Sequence, residues 1–270
     1  MRRSALPVLI TACVIVAAVL AWLVVQRVFR PAPAPESAGP AVAEVRTPGA
    51  FTRVIVNGLA SVELVQGDRH EVSVEGPPGS AGRVRTRVDG GTLTITSHGG
   101  QVELPLFGGG GTDVRPRIVV TAPSIESIVA DGAVTISAGR LEVPTLRVAA
   151  SGATKLRIDD LKADSLRLSA AGAVHVDVAG TVTDQSISLS GAGDFRGARL
   201  VSETAKVSVS GAGRVVVNVE KTLRVSLSGA GNVEYLGNPE VKESVSGIGR
   251  VRRRETSAEP AHASFRLAAI

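Results

Sequence analysis

The sequence is short of the residues that most chemistry and most stacking surfaces need. It has one cysteine, one tryptophan and one tyrosine, and aromatic residues make up only 3% of its 270 positions. The lone cysteine, Cys13, excludes an internal disulfide framework, so any exported domain must hold together by its own packing. The scarcity of aromatics excludes a base-stacking surface for single-stranded nucleic acid. It also leaves few of the ring platforms on which sugar-binding faces usually rest. The net charge of +5 is misleading as a sign of nucleic-acid binding. Residues 1–30 hold four arginines and no carboxylate, and without them 26 basic residues stand against 25 acidic ones. A nearly neutral body lacks the strongly basic surface of a nucleic-acid binder.

Catalytic motifs are missing as well. His70, His98, His175 and His262 are scattered without metal-ligand spacing. No Gly-x-Ser-x-Gly elbow occurs, so the many serines are not nucleophile candidates. Asp159, Asp160, Asp164, Asp177 and Asp184 form the densest carboxylate region. Asp159-Asp160 falls at a turn, and Asp177 has Arg157 and Arg196 as its expected neighbours on adjacent coils. No metal site, cofactor site or catalytic residue is therefore expected.

What the sequence does have is a phrase that returns. It reads ASGA at Ala150–Ala153, AAGA at Ala170–Ala173, SGAG at 190–193, 210–213 and 228–231, and SGIG at 246–249. A degenerate DGA at 131–133 opens the series. The repeated glycines are Gly132, Gly152, Gly172, Gly191, Gly211, Gly229 and Gly247, in steps of 20, 20, 19, 20, 18 and 18 residues. A period of this length marks a stack of similar coils.

Columns read around that glycine give the faces. Four residues before it stand Ile128, Val148, Leu168, Ile187, Val207 and Val225, and two before it Ala130, Ala150, Ala170, Leu189, Val209, Leu227 and Val245. Four after it stand Ile136, Leu156, Val176, Phe195, Val215, Val233 and Val251. Their neighbours are mostly polar, which is the alternation of half-buried strands. The Gly-Ala pair between the strands is a corner that needs positive φ or close approach of the next coil. Glycine loops that cradle phosphate resemble it only superficially, because they lead into a helix N-terminus and here strands follow.

The outward columns are polar. Five before the glycine run Ser127, Arg147, Arg167, Ser186, Lys206, Arg224 and Lys242, a mostly basic ladder. Serines fill the columns three and one before it, including Ser188, Ser208 and Ser226 in the first and Ser190, Ser210 and Ser228 in the second. These six are the candidate ligand face, a regular array of hydroxyls suited to a repeating ligand. Such hydroxyls also serve simply to solvate a face and bond neighbouring backbone. The last coil departs from the pattern, with Glu243 in an apolar column and Arg250, Arg252, Arg253 and Arg254 after it, as expected of a charged C-terminal cap.

Residues 7–25 form 19 nearly unbroken apolar positions, enough helix to span a bilayer at about 1.5 Å per residue. Arg2 and Arg3 before the span favour a cytoplasmic N-terminus at 1–6. The run is longer than a signal-peptide core and has no small-residue site close behind, so a retained anchor is expected. Twelve apolar residues after Cys13 argue against a lipidated cysteine. A Pro/Ala-rich linker at 26–49 follows, then an all-β domain at 50–254 and a tail at 255–270. The expected architecture is an N-terminal transmembrane helix and a β-solenoid of 18–20-residue coils.

The opening FTRVIVNGLASVELVQGDRHEVSVEG from Phe51, then VDGGTLTI from Val88, RIVVTAP from Arg117 and the SGAG coils resemble the bacterial head GIN domain family. Those proteins carry the label of auto-transporter adhesins. The resemblance covers 50–254 and implies a β-solenoid in a cell-envelope protein, with no catalytic motif to transfer. An auto-transporter also needs a C-terminal membrane barrel, and His262–Ile270 leaves no room for one. The expected role is a non-enzymatic adhesion or interaction module, with a structural scaffold as the alternative and a polysaccharide-active enzyme less favoured. Its expected place is the inner membrane with the domain in the periplasm, or the cell surface. Partners would be the membrane through 7–25, an envelope polysaccharide or protein, or a second copy of the chain, with no nucleic acid.

Overall fold

The computed structural model describes residues 42–76, 81–97 and 116–254. The expected span at 7–25, the Gly108–Gly111 run and the tail at 255–270 lie outside them. Among the described residues no helix is long and apolar enough to cross a membrane. They form an all-β unit with a single 3-10 turn at Ala81–Arg83.

One strand organises the rest. β7 (Ser127–Gly211) is extended backbone whose repeated glycines stack on one another, Gly152 on Gly132 and so on to Gly211 on Gly191, so that successive stretches of it lie side by side. β8 (Arg214–Gly229) continues it in parallel, pairing Lys206 with Arg224 and Gly211 with Gly229. β9 (Asn232–Leu236) pairs with β8 from Arg214↔Asn232 to Asn218↔Leu236. β10 (Glu240–Gly247) lies on β8, and β11 (Arg250–Arg253) lies on β9, both again parallel. Each pass therefore pairs with the equivalent residues of the pass before.

The corner glycines explain why the phrase repeats. All seven have positive φ, from 78° at Gly152 to 137° at Gly247. They are also stacked, so that a Cβ on Gly211 would stand 2.5 Å from the Gly191 carbonyl oxygen. A side chain there meets backbone that cannot swing away, and the conformation is one L-residues rarely adopt. Both demands, left-handed φ and close approach, act on the same atom.

Apolar columns fill the inside. Ile128, Leu168, Val207, Ile136, Phe195 and Val233 are all at most 3% exposed. Each such side chain contributes about 1.5–3 kcal/mol by leaving water. The inward positions of one pass meet those of the next, which makes one continuous core.

The segment before β7 is the less regular part. β2 (Arg53–Gln66) pairs in parallel with β7 from Arg53↔Ser127 to Leu64↔Ala138. Gly58 thus falls beside Gly132, with φ 98°, and heads the same glycine column. On its other side β2 is covered by two strands in line, β5 (Thr92–Ser97) and β6 (Arg117–Ala122), which share one pass between them. β4 (Val84–Asp89) then covers β5 and β3 (Glu71–Gly76) covers β6, both antiparallel. Asp89-Gly90-Gly91 makes the β4–β5 hairpin with positive φ at both glycines, 52° and 73°, as a primed turn requires. Val42–Arg46, inside the stretch read from sequence as spacer, is instead a strand, β1, antiparallel to β3. Arg46 donates from β1 to the Val84 carbonyl (3.0 Å) and to Thr86 Oγ1 (2.9 Å), tying the two covering strands together.

The coil length drops from 20 to 18 residues after Gly211, and the register slips between Gly197 and Thr204. Buried polar groups fill the irregularity. Gln185 Nε2 donates to Ser202 Oγ (2.6 Å), which donates to the Asn218 carbonyl (3.0 Å). The sequence columns gave no sign of this pair, because both residues look like ordinary turn residues.

Candidate binding surface

The strand entering each corner carries the serine and basic columns on one outward face. Ser208↔Ser226↔Ser244 and Ser210↔Ser228↔Ser246 pair in register. Ser188 and Ser190 precede Gly191, which stacks beneath Gly211, so they head the same two columns. Ser188, Ser190, Ser210, Ser226 and Ser228 are exposed and Ser208 is half-exposed.

Backbone does not take up these hydroxyls as expected. Ser151 bonds the Ala130 carbonyl (3.4 Å) and Asp131 Oδ1 (2.8 Å). None of the six candidate serine hydroxyls has a hydrogen-bond partner among the described residues. Alternation along the strand turns these positions outward, away from the apolar columns. From Ser188 to Ser228 the face therefore carries free donors and acceptors.

The strand leaving each corner is different. His175 Nδ1 lies 3.2 Å from Asp194 Oδ2 on the next pass, and Arg196 approaches the same oxygen at 3.0 Å. Asp177 pairs with Arg199 (3.3 Å), not with Arg157 or Arg196. Those two arginines fold back along their own strands, Arg157 to Asp159 (2.8 Å) and Arg196 to Asp194. Residues two apart on a strand share a face, which makes this local closure easy. Further along the coil, Lys162 holds Glu142 (2.8 Å), and the resulting hydrogen bond keeps that carboxyl below its ordinary range. Asp184 accepts from Thr204. Among the described residues no three potential ligands gather as a metal site.

His70 packs against Phe51, ring centroids 4.9 Å apart, and accepts from the Phe51 N–H (3.5 Å). It belongs to the fold of the opening strand. His98 and His262 lie outside the described residues.

At the C-terminal end Glu234 collects two of the four late arginines. Arg252 Nε donates to it (3.2 Å), and an Arg254 nitrogen lies 3.9 Å away. Glu234 is only 9% exposed. The Arg252 hydrogen bond holds its carboxyl below the usual range, against desolvation, which pushes the other way. These arginines thus serve the stack at least as much as they present charge to solvent.

A stack of parallel strand passes with polar outward ladders is the class of surface this fold defines. The chain belongs to the family described as "Putative auto-transporter adhesin, head GIN domain", whose model matches residues 50–239. No curated protein matches it. Several solved structures share the fold. A protein described as a putative adhesin from Bacteroides fragilis aligns with a TM-score of 0.71 at 17% identity, over 80% of this chain and 98% of its own. A similarly described protein from Parabacteroides merdae aligns at 0.60 and 16%, covering 80% and 97%. One from Parabacteroides distasonis, described as a putative lipid binding protein, aligns at 0.58 and 18%, covering 80% and 98%. At these identities the likeness concerns the fold.

Proposed function

We propose that the chain is a non-enzymatic cell-envelope interaction module, a β-solenoid held at the membrane by residues 7–25. Its domain stands outside the cytoplasm, in the periplasm or at the cell surface. The observation that carries this reading is the in-register serine face, whose hydroxyls have no partner among the described residues. Membership of an adhesin family points the same way. Repeated weak contacts along such a face add up by avidity, so a broad ligand is held although each contact is small.

A scaffold built by edge-to-edge association is the second reading. It draws on the last pass, where Val245 is 42% and Ile248 87% exposed beside an outermost strand.

Binding of the full chain in neutral detergent to isolated envelope polysaccharide and protein fractions separates the two. Saturable binding that Ser208→Trp/Ser226→Trp abolishes supports the interaction face. Absence of saturable binding to any fraction, with a defined oligomer by light scattering, overturns it in favour of the scaffold.

A further inference from the structure

The basic ladder beside the serines runs without ion pairs from Arg147 to Arg224. Arg147, Arg167, Lys206 and Arg224 are exposed, and none of their side chains has an ion pair or hydrogen bond among the described residues. Lys206 and Arg224 stand directly opposite one another on paired passes. Like charges placed so destabilise a sheet. Other cations of the same stack do have partners: Lys162, Arg199, Arg196 and Lys221 each have an acid within 3.3 Å. Lys242, the last member of the ladder, is neutralised by Glu240 (3.0 Å). The four ladder cations therefore stand in one column with their charge uncompensated by an acid within reach.

The shape at this place is a shallow open groove running across four passes. Arg167, Ser186, Lys206 and Arg224 line it along its length. Asp184, the one carboxylate among its described lining residues, is occupied by Thr204. Arg167 and Arg224 are three passes apart, about 14 Å at the spacing of paired strands. A single small anion does not reach across that distance, but a chain of anions does. The neighbouring serine columns add hydroxyl donors and acceptors, which suit sugar hydroxyls. Nothing aromatic stands by to stack a nucleic-acid base.

We infer that this groove binds a linear anionic polysaccharide lying along the stack, its carboxylates on Arg167, Lys206 and Arg224 and its hydroxyls on the serine columns. The inference rests on the interaction-module reading and names the chemistry of its partner. Guanidinium groups favour such a ligand because they meet carboxylates with two parallel hydrogen bonds. Binding through several exposed charges weakens as salt screens them.

The test uses the full chain in neutral detergent with polygalacturonate as the probe, and neutral dextran and phosphatidylglycerol vesicles as comparisons. The triple variant Arg167→Gln/Lys206→Gln/Arg224→Gln is set against Arg140→Gln/Arg157→Gln/Lys162→Gln, which removes the same charge from cations that have acid partners. The expected result is salt-sensitive binding of polygalacturonate but not dextran, weakened about tenfold or more by the first variant and little by the second, as for contacts made through a few neutralised charges. The first variant should melt no lower than the parent, because it relieves like-charge stacking. Equal weakening by both variants would reduce the effect to net charge and overturn the proposal. Ladder-dependent binding to the vesicles alone would overturn it in favour of an anionic lipid surface. Salt-independent capture of an envelope fraction, unchanged in the ladder variant, would sink this inference while leaving the interaction module standing.

Discussion

The two ends of the stack solve the same problem differently. A parallel stack leaves a row of unpaired N–H and C=O groups at each end. At the N-terminal end, β2 is covered by β5 and β6, these by antiparallel β4 and β3, and β3 by β1. Val62, Leu64, Leu93, Ile95, Ile118 and Val120 beneath that cover are all at most 1% exposed. At the C-terminal end, β10 and β11 are one more pass of the ordinary kind, and β10 is exposed along nearly its whole length. Glu243 and the late arginines make that pass polar instead of covering it. Reversal of strand direction protects one end, and charge guards the other. The first end should unfold only with the whole stack, while the last pass opens locally.

The strongest way to break this comparison is to make the same change at both ends. Gly132→Ala would place a Cβ 2.4 Å from the Gly58 carbonyl oxygen, and Gly247→Ala would place one 2.3 Å from that of Gly229. The strain is alike at φ 111° and 137°, and costs about 1–3 kcal/mol before the clash is counted. Gly132 is held between passes on both sides, so its variant should lower the global melting temperature by several degrees. Gly247 belongs to the outermost described pass, so its variant should leave the main transition in place. Its effect should appear as faster amide exchange over 240–253. A large drop in global melting for Gly247→Ala would show that the last pass is integral to the fold.

Much of this was legible in the sequence, and the reasons are visible in particular residues. The columns at Ile128, Ala130 and Ile136 carry the alternation down the stack because each pass repeats the one before. Asp89-Gly90-Gly91, within VDGGTLTI, has the composition of a hairpin turn, and it forms one. Gly58 was missed because it stands 74 residues before Gly132 (58 to 132), and the β3–β6 segment interrupts the period. β1 was missed because VAEVR is short and sits among prolines and alanines, and its pairing with β3 is purely tertiary. The outward serine columns were legible from their spacing. Which cations would be free was not, since pairing depends on where side chains turn. Arg196 closes onto Asp194 two residues away and leaves Asp177 to Arg199.

Acid should sharpen the contrast between the ends by a smaller margin. Glu234 joins the last pass to the one before through Arg252 and Arg254. Its folded pKa lies below the ordinary 4.5, so its contribution is complete above that pH and is lost as pH falls through the lowered folded value. Because the Arg252 side chain is 70% exposed, solvent screens the pair, and about 0.5–1 kcal/mol is expected. Glu234→Gln should therefore raise exchange in 250–253 at neutral pH. It should also remove the additional loosening that the parent shows on acidification, while the N-terminal strands respond alike in both.

The smallest expected effect is also the one that separates a tolerated edge from a used one. Val245 and Ile248 are the largest exposed apolar side chains of the last pass, and their exposure means that replacing them removes little buried area from the folded chain. Val245→Ser/Ile248→Ser should change stability by no more than about 0.5 kcal/mol, the usual range for surface positions. An N-terminal counterpart such as Ile118→Ala, fully buried, should cost about 2–5 kcal/mol. If the double serine variant leaves both the melt and the light-scattering mass unchanged, the charged outer strand suffices to keep this end monomeric. If it lowers the mass of an assembled species, Val245 and Ile248 form part of a contact between copies, and the polar pass is an interface rather than a cap.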